Sequence, residues 1–433
     1  MEWYVVGPGL FALLIFFIIL GVPVPFALAA AALPFLWQIQ SFPTSLVASS
    51  LKLWGVWVDY ILLAVPLFVL LGELIGRSTI GPHLYQSMHR NVRARGSAAY
   101  GSIGACAGFG AVCGSSMVGA LTIGGVALPE MIKLGYSRRL ASGVLAAGGT
   151  LSVLIPPSLI MLFYGIVTDS SIGELFIAGI IPGLILTFLF VLIVAAWGKL
   201  NPDAVPASGT DEKMTTAQIW SSVGPVVLVG AVITVSIYSG IATPTEAAAI
   251  SVLLTAALAF AFGGLTIRAF GEAVWATMRT MGFLGILLSA GVLFGFVLTY
   301  YRVPQEFTEA FLSMDLSPYL TLIFVLVFYI VLGMFLEPVS MTFITLPTLF
   351  PLIYAAGFNP IWFGVLYTIT MEIAVLTPPV GLNLYVIQGI ARKQLGVDDV
   401  VYGCLPFIGA LVILILLLLA KPEIALWLPS IMR

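Results

Sequence analysis

The chain has 433 residues, of which 61% are hydrophobic and only 8% charged, with a formal net charge of −2. A water-facing globular surface carries roughly 25% charged residues, so the composition excludes a soluble domain and assigns most of the exterior to lipid. The near-zero balance offers no basic field for nucleic acid.

The chain opens Met1-Glu2-Trp3, without the Lys or Arg of a cleavable signal, so the apolar run near 5–20 reads as a retained span. Further apolar runs lie near 22–38, 60–77, 139–167, 175–198, 219–239, 245–263, 281–300, 360–391 and 403–420. At roughly 20 residues per crossing these predict about ten spans. Two other apolar stretches, 97–131 and 319–353, each carry a small or polar break near the middle. The first is preceded by Arg90, Arg93 and Arg95 and followed by Lys133, Arg138 and Arg139. Basic flanks belong on the cytoplasmic side, so this segment enters the membrane and returns. Two full crossings with a short outer turn satisfy the same charges. The Gly114-Ser115-Ser116 composition of the break favours a re-entrant hairpin. By the same rule 199–218 (Lys199, Lys213), Arg268, Arg279, Arg392 and Lys393 are cytoplasmic, both termini lie outside, and Arg302 is an exception.

Cys106, Cys113 and Cys404 sit among apolar or small residues and read as packing, neither a disulfide framework nor a metal set. His83 and His89 read as part of a basic loop without ligand-spaced Cys or acidic partners, which argues against a metal there.

The polar linker 201–218 separates two halves, 1–200 and 219–433, that resemble each other. Pro129, Gly135, Val153, Leu154, Pro156, Pro157 and Leu162 recur 222 positions later as Pro351, Gly357, Val375, Leu376, Pro378, Pro379 and Leu384. Gly21 and Pro25 match Gly240 and Pro244, and Gly179 and Pro182 match Gly403 and Pro406. An odd number of crossings in the first half inverts the second. The predicted fold is an all-α polytopic membrane protein of two inverted repeats. Each holds about five spans, a re-entrant hairpin (97–131, 319–353) and a broken helix (139–167, 360–391). In such architectures the site lies at the repeat interface near the midplane.

Four segments then carry the candidate chemistry. They are Cys113-Gly114-Ser115-Ser116; Gly148-Gly149-Thr150-Leu151-Ser152 leading to Pro156-Pro157-Ser158; Leu336-Glu337-Pro338-Val339-Ser340; and Thr377-Pro378-Pro379-Val380-Gly381 with Asn383. Proline removes a backbone donor and clashes one turn back, so paired prolines open a helix and release carbonyls that need partners in a dry setting. A small hard cation would satisfy them, with the hydroxyls of Thr150, Ser152 and Thr377 completing a shell. Helix N-termini at the hairpin turns suit a carboxylate. The competing reading is that Ser and Thr simply bond backbone one turn back. Glu337 is either an ion or substrate contact or a turn cap. Glu372 is either a ligand or proton-linked group or one side of an interhelical hydrogen bond. Glu73 reads as an i,i+4 partner of Arg77, and Glu246 as a helix cap after Thr243-Pro244-Thr245. No nucleotide loop or catalytic constellation is present. The expectation is no enzyme and no cofactor, with energy from an ion gradient or a partner.

These residues resemble the large membrane subunit of tripartite ATP-independent periplasmic (TRAP) transporters. The resemblance rests on Ala147-Gly-Gly-Thr-Leu-Ser-Val-Leu-Ile-Pro-Pro-Ser158, Ser171-Ile-Gly-Glu-Leu-Phe-Ile-Ala-Gly-Ile-Ile-Pro-Gly183, Gly240-Ile-Ala-Thr-Pro-Thr-Glu-Ala-Ala-Ala249 and Leu376-Thr-Pro-Pro-Val-Gly-Leu-Asn-Leu384. It covers essentially the whole chain. It implies a sodium-coupled importer of organic acids, such as C4-dicarboxylates or sialic acid, in a bacterial inner membrane, with both termini periplasmic. It implies two partners, a small four-helix membrane subunit and a periplasmic substrate-binding protein. It also implies an elevator mechanism and two Na⁺ sites. One falls near Ser115, Ser116, Gly149 and Thr150, the other near Glu337, Thr377, Pro378 and Gly381. Pro156, Pro157, Ser158, Pro338, Ser340, Ser152, Glu372 and Asn383 complete the expected ion and substrate windows. The Leu-Glu-Pro-Val-Ser turn departs from an Asp-Pro type found in many members, and Glu372 stands where many are neutral. The alternative is an autonomous ion-coupled anion transporter or antiporter that needs no binding protein.

Overall fold

The computed structural model describes residues 2–39, 42–92, 94–206, 214–392 and 394–431. Arg93, Lys213 and Lys393, used above for topology, and linker positions 207–213 lie outside the described residues. Among the described residues the regular structure is entirely helical.

The first half runs α1 (Trp3–Ile19), α2 (Val24–Trp37), α3 (Phe42–Trp57), a 3-10 turn at Tyr60–Leu63, α4 (Ala64–Gly76) and α5 (Ile80–Asn91). It continues with α6 (Ser97–Cys113), α7 (Ser116–Lys133), α8 (Arg138–Leu154), α9 (Leu159–Thr168) and α10 (Ile172–Leu200). The second half runs α11 (Thr216–Tyr238), α12 (Pro244–Ala261), α13 (Ile267–Tyr300), α14 (Val303–Leu312), α15 (Pro318–Gly333) and α16 (Pro338–Ala355). It ends with α17 (Pro360–Val375), α18 (Leu382–Ile390), α19 (Val397–Ala420) and α20 (Glu423–Ile431).

The element order of the halves corresponds. The hairpin α6–α7 matches α15–α16, and the interrupted pair α8, α9 matches α17, α18. One difference stands out. The 34-residue α13 is continuous, whereas its counterpart in the first half is bent by 56° between α3 and α4. The bend falls where Asp59 accepts a hydrogen bond from the Ile61 amide at 2.9 Å and caps the 3-10 turn. A side chain that offers the backbone a local partner competes with helix continuation.

Among the described residues six helices are long and apolar enough to cross a membrane, or eight counting the bent pairs α3/α4 and α8/α9, with α1, α2, α6, α15 and α17 as shorter apolar helices. Positive-φ Gly21 ends the first run before α2 begins. The basic loop holding His83 and His89 is instead the helix α5, with His89 buried, stacked on Tyr85 at 5.9 Å and 3.7 Å from a Glu130 oxygen. The helices α3, α14 and α20 lie outside every expected span.

Small residues allow the closest crossings. A Cβ on Gly143 would sit 2.1 Å from the Gly403 carbonyl oxygen, and one on Gly403 would sit 2.1 Å from that of Arg139. Backbones in membranes approach this closely only where side chains are absent. This contact fixes α8 against α19, so the two halves are joined at the broken helix itself.

Candidate functional site

Each hairpin turn is tied to the break of its own interrupted helix. Gly114 has φ +67, which ends α6, and its carbonyl accepts the Leu159 amide at 3.2 Å. In the second half, the Val380 amide donates to the Met334 carbonyl at 3.1 Å. Both proline pairs lie in these breaks, and both Pro-Pro bonds are cis. A Cβ at Gly114 would meet the Pro157 carbonyl oxygen at 2.6 Å, and one at Gly149 would meet the Ser116 carbonyl oxygen at 2.5 Å. Glycine at 114 and 149 is therefore what lets the turn lie against the broken helix.

The two units also cross over. Helix α9 packs on α16, with Phe163 and Phe343 rings 5.5 Å apart, and α18 packs on α7 and α8. Tyr164 donates to the Pro360 carbonyl at 2.7 Å. The second piece of each broken helix thus leans on the other half, and the interface is built from both.

At that interface lies a cavity of about 260 Å³. Four helices begin on it. Ser115 and Ser116 bring the start of α7, Leu159 and Ile160 that of α9, Glu337 and Pro338 that of α16, and Leu382 and Asn383 that of α18. Helix N-termini carry free N–H groups and partial positive charge. Phe283 and Leu284 of α13 and Val69 of α4 close the cavity from outside the hairpin units.

The caps differ. Ser115 accepts from the Val118 amide at 3.5 Å, and Ser158 accepts from the Met161 amide at 3.2 Å. Glu337 accepts from the Val339 amide at 3.1 Å and from the Ser340 amide and hydroxyl at 2.6 Å each. Gly381 precedes α18 without a side-chain cap, at φ +52.

The sequence-selected residues fall into two groups. Gly114, Ser115, Ser116, Glu337, Pro338 and Asn383 line the cavity. Gly149, Thr150, Ser152, Pro156, Pro157, Ser158, Ser340, Glu372, Thr377, Pro378 and Gly381 do not line it, and all are buried except half-buried Thr377 and exposed Pro378. Thr150 donates to the Ala147 carbonyl and Thr377 to that of Ile373, both at 2.6 Å. Those bonds use the hydroxyl proton and leave oxygen lone pairs. Ser152 donates weakly, at 3.4 Å, to the Cys106 carbonyl. Glu372 is fully buried on α17, neither carboxylate oxygen has a hydrogen-bond partner, and the Ser116 side chain faces it. Its counterpart 222 positions earlier is Thr150. Asn383 donates through Nδ2 to the Ala146 carbonyl at 3.3 Å, while its buried Oδ1 has no partner.

Other acids are structural. Glu73 bonds Arg77 at 3.1 Å, and Arg77 also reaches Glu272 at 3.3 Å. Glu246 closes a capping box with Thr243. The three cysteines are free and buried, and no cluster of three His, Cys, Asp or Glu that could hold a metal occurs among the described residues. Sequence reasoning missed Leu159, Ile160 and Leu382, though first-turn positions after each break would have pointed to them. It could not have found Phe283 or Val69, whose part depends on tertiary packing alone.

Solved structures share this architecture. The YdaH transporter of Alcanivorax borkumensis superposes with a TM-score of 0.65 at 14% identity, covering 91% of this chain and 90% of that one. That likeness speaks to the fold. Sequence relatives are nearer. The chain is 32% identical to the C4-dicarboxylate TRAP transporter large permease protein DctM of Vibrio cholerae, over 98% of this chain and 97% of that protein. It is also 32% identical to the ectoine TRAP transporter large permease protein TeaC of Halomonas elongata, over 85% and 86% of the two. The family model for the DctM component of tripartite ATP-independent periplasmic transporters matches residues 11–424. This chain is a polytopic membrane protein that belongs to that family, the large permeases of TRAP transporters.

Proposed function

We propose that this permease imports a small organic acid by sodium-coupled secondary transport across a bacterial inner membrane. The solute arrives on a periplasmic binding protein, and a small membrane subunit completes the complex. The carrying observation is the convergence of four helix N-termini on one cavity made by both halves. This favours an anion held by N–H groups without a cationic side chain. The broken helices support a cation role nearby. The lone pairs of Thr150 and Thr377, the opened backbone after Val153 and Val375, and the unpartnered Glu372 carboxylate fit a hard monovalent ion. The Ser115, Ser116, Gly149, Thr150 window and the Glu337, Thr377, Pro378, Gly381 window are the two places assigned to it.

The motion favoured is an elevator. Hairpins and broken helices, locked by the Leu159–Gly114 and Val380–Met334 bonds, travel as a body past α4 and α13. The scaffold stays, and both termini remain periplasmic. The relatives named for C4-dicarboxylate and ectoine support the solute class.

Reconstitution into liposomes with the small subunit and the binding protein tests this. Uptake should require an inward sodium gradient and the loaded binding protein. Ser115→Ala, Thr150→Ala and Thr377→Ala should each weaken the sodium dependence. Full uptake of free solute without the binding protein would replace the proposal with an autonomous carrier. Unchanged sodium dependence in all three variants would remove the ion assignment.

A further inference from the structure

No Lys, Arg or His lines the cavity between the halves, yet a charged space adjoins it. An open cleft of about 450 Å³ is lined by Arg77, Arg268, Glu272, Ala276 and Arg279 among others. Cleft and cavity share their walls. On α13, Ala276 of the cleft stands four residues before Thr280 of the cavity, and Arg279 stands four before Phe283. Positions four apart lie on one helix face, about 6 Å along the axis. Across from α13, Arg77 of the cleft follows the end of α4, whose Val69 lines the cavity. The positive-inside rule puts this end of both helices at the cytoplasm.

The charges in the cleft do not cancel. Arg77 pairs with Glu73 at 3.1 Å and Glu272 at 3.3 Å, and Arg268 pairs with the same Glu272 at 3.1 Å. Arg279 is exposed and makes no hydrogen bond or ion pair among the described residues. Three guanidinium groups therefore face two carboxylates, and the charge left over is that of Arg279. A guanidinium presents the fork of donors that matches a carboxylate. Where both groups are open to water such a pair is weak, which suits a site that hands a solute on rather than one that retains it. Lipid headgroups also meet arginines at this depth. The helix face shared with Thr280 and Phe283 favours a solute, because those two residues look into the cavity made by both halves.

We propose that this cleft is the cytoplasmic vestibule of the cavity, and that Arg279 is the free charge that receives the carboxylate of a departing organic acid. The inference rests on the transport reading above and adds to it a second, weaker anion site on the release path.

The test measures how fast charged thiol reagents reach a reporter, Thr280→Cys, on the cavity wall. The native Cys106, Cys113 and Cys404 are no more than 2% exposed, and the protein without the reporter gives the background rate. The full chain is used in sealed bacterial membrane vesicles, inside-out or right-side-out. The probes are the anionic 2-sulfonatoethyl, the cationic 2-(trimethylammonium)ethyl and the neutral methyl methanethiosulfonates, each rate divided by that with a free thiol. From the cytoplasmic face the anionic reagent should react faster than the cationic one. Arg279→Gln should lower that ratio at least about threefold, since one unit charge acts on the two reagents in opposite directions. Arg279→Lys should restore it, and the neutral reagent should react equally in all three, which a displaced helix would not allow. If Arg279→Gln does not fold, salt decides: at about 1 M, where screening acts within about 3 Å, the anionic preference should vanish.

An unchanged ratio in Arg279→Gln would overturn the proposal. So would a preference that survives high salt, or a reporter reached no faster from the cytoplasmic face than from the other. An Arg279 effect seen in phosphatidylcholine liposomes but not in bacterial membranes, which contain anionic lipid, would assign the arginines to headgroups and overturn it as well. These rates need neither a sodium gradient nor a transported solute, so failure of sodium-driven uptake strikes the transport reading instead.

Discussion

The amide of Leu159 donates to the carbonyl of Gly114 at 3.2 Å, joining the first hairpin turn to the break of the helix that follows it. A backbone bond of this kind contributes about 0.5–1.5 kcal/mol to holding the turn against the break. The second half repeats the arrangement between Val380 and Met334 at 3.1 Å.

Gly114→Ala tests that joint. The residue sits at φ +67, and a Cβ would lie 2.6 Å from the Pro157 carbonyl oxygen. The left-handed conformation alone costs a non-glycine residue about 1 kcal/mol, and the backbone contact adds overpacking of about 1–3 kcal/mol. The expected outcome is a lower melting temperature together with loss of uptake. Wild-type values for both would show that the turn does not depend on glycine.

The crossing of α8 and α19 is less forgiving. A Cβ on Gly403 would stand 2.1 Å from the Arg139 carbonyl oxygen, which is backbone and cannot rotate aside. Gly403→Ala must part the two helices, and the whole α8–α19 contact suffers. We expect destabilisation at or above the upper end of the roughly 1–3 kcal/mol usual for overpacking, seen as poor recovery of folded protein by size-exclusion chromatography. Gly409→Ala, on the same helix with nothing within 4 Å of its Cβ, is the matched control and should be silent.

Charge on the outer face should matter far less. Arg77 bridges Glu73 and Glu272, but all three side chains are 25% to 50% exposed. Pairs this open contribute about 0–1 kcal/mol. Arg77→Ala should therefore shift thermal stability by no more than that and leave sodium-dependent uptake intact. A large loss of uptake with unchanged stability would assign α4 and α13 a part in transport beyond that of a wall.

Much of the site was legible because Gly, Ser and Pro interrupt otherwise apolar runs. Gly114-Ser115-Ser116 and Leu336-Glu337-Pro338 announce turns at membrane depth, and each turn appears where those residues stand. The repeat followed from the paired prolines, which only a helix break tolerates in matching context. Other features were hidden for physical reasons. The α3 segment contains Ser45, Ser49, Ser50 and Lys52, which dilute its apolar signal although it forms a helix. The α5 segment looked like a basic loop because its buried face uses Leu84, Tyr85 and His89 rather than a run of aliphatic residues. The Thr150 and Thr377 hydroxyls bond the carbonyls one turn back, a local outcome that sequence left open beside ion binding. Glu337 caps its own helix and faces the cavity at once, so its two candidate roles were never exclusive.

Glu372 offers the sharpest separation of fold from function. It is fully buried on α17 with both oxygens unpartnered, facing Ser116 across the half interface. A carboxyl group left that way weakens the resting fold, since a buried polar group without a hydrogen-bond partner costs about 1–3 kcal/mol. Its repeat counterpart, Thr150, fills the same place with a hydroxyl that finds a carbonyl at 2.6 Å. If Glu372 were purely structural, Glu372→Gln would keep uptake and leave stability equal or improved. If the acid is retained for transport, the variant should keep its stability in sodium-free buffer to within about 1 kcal/mol, gain less from added sodium, and lose most sodium-driven uptake. Melting curves with and without sodium, on the same protein used for uptake, read both quantities at once. A variant that is less stable without sodium would mean that the buried acid has a partner holding the helices together.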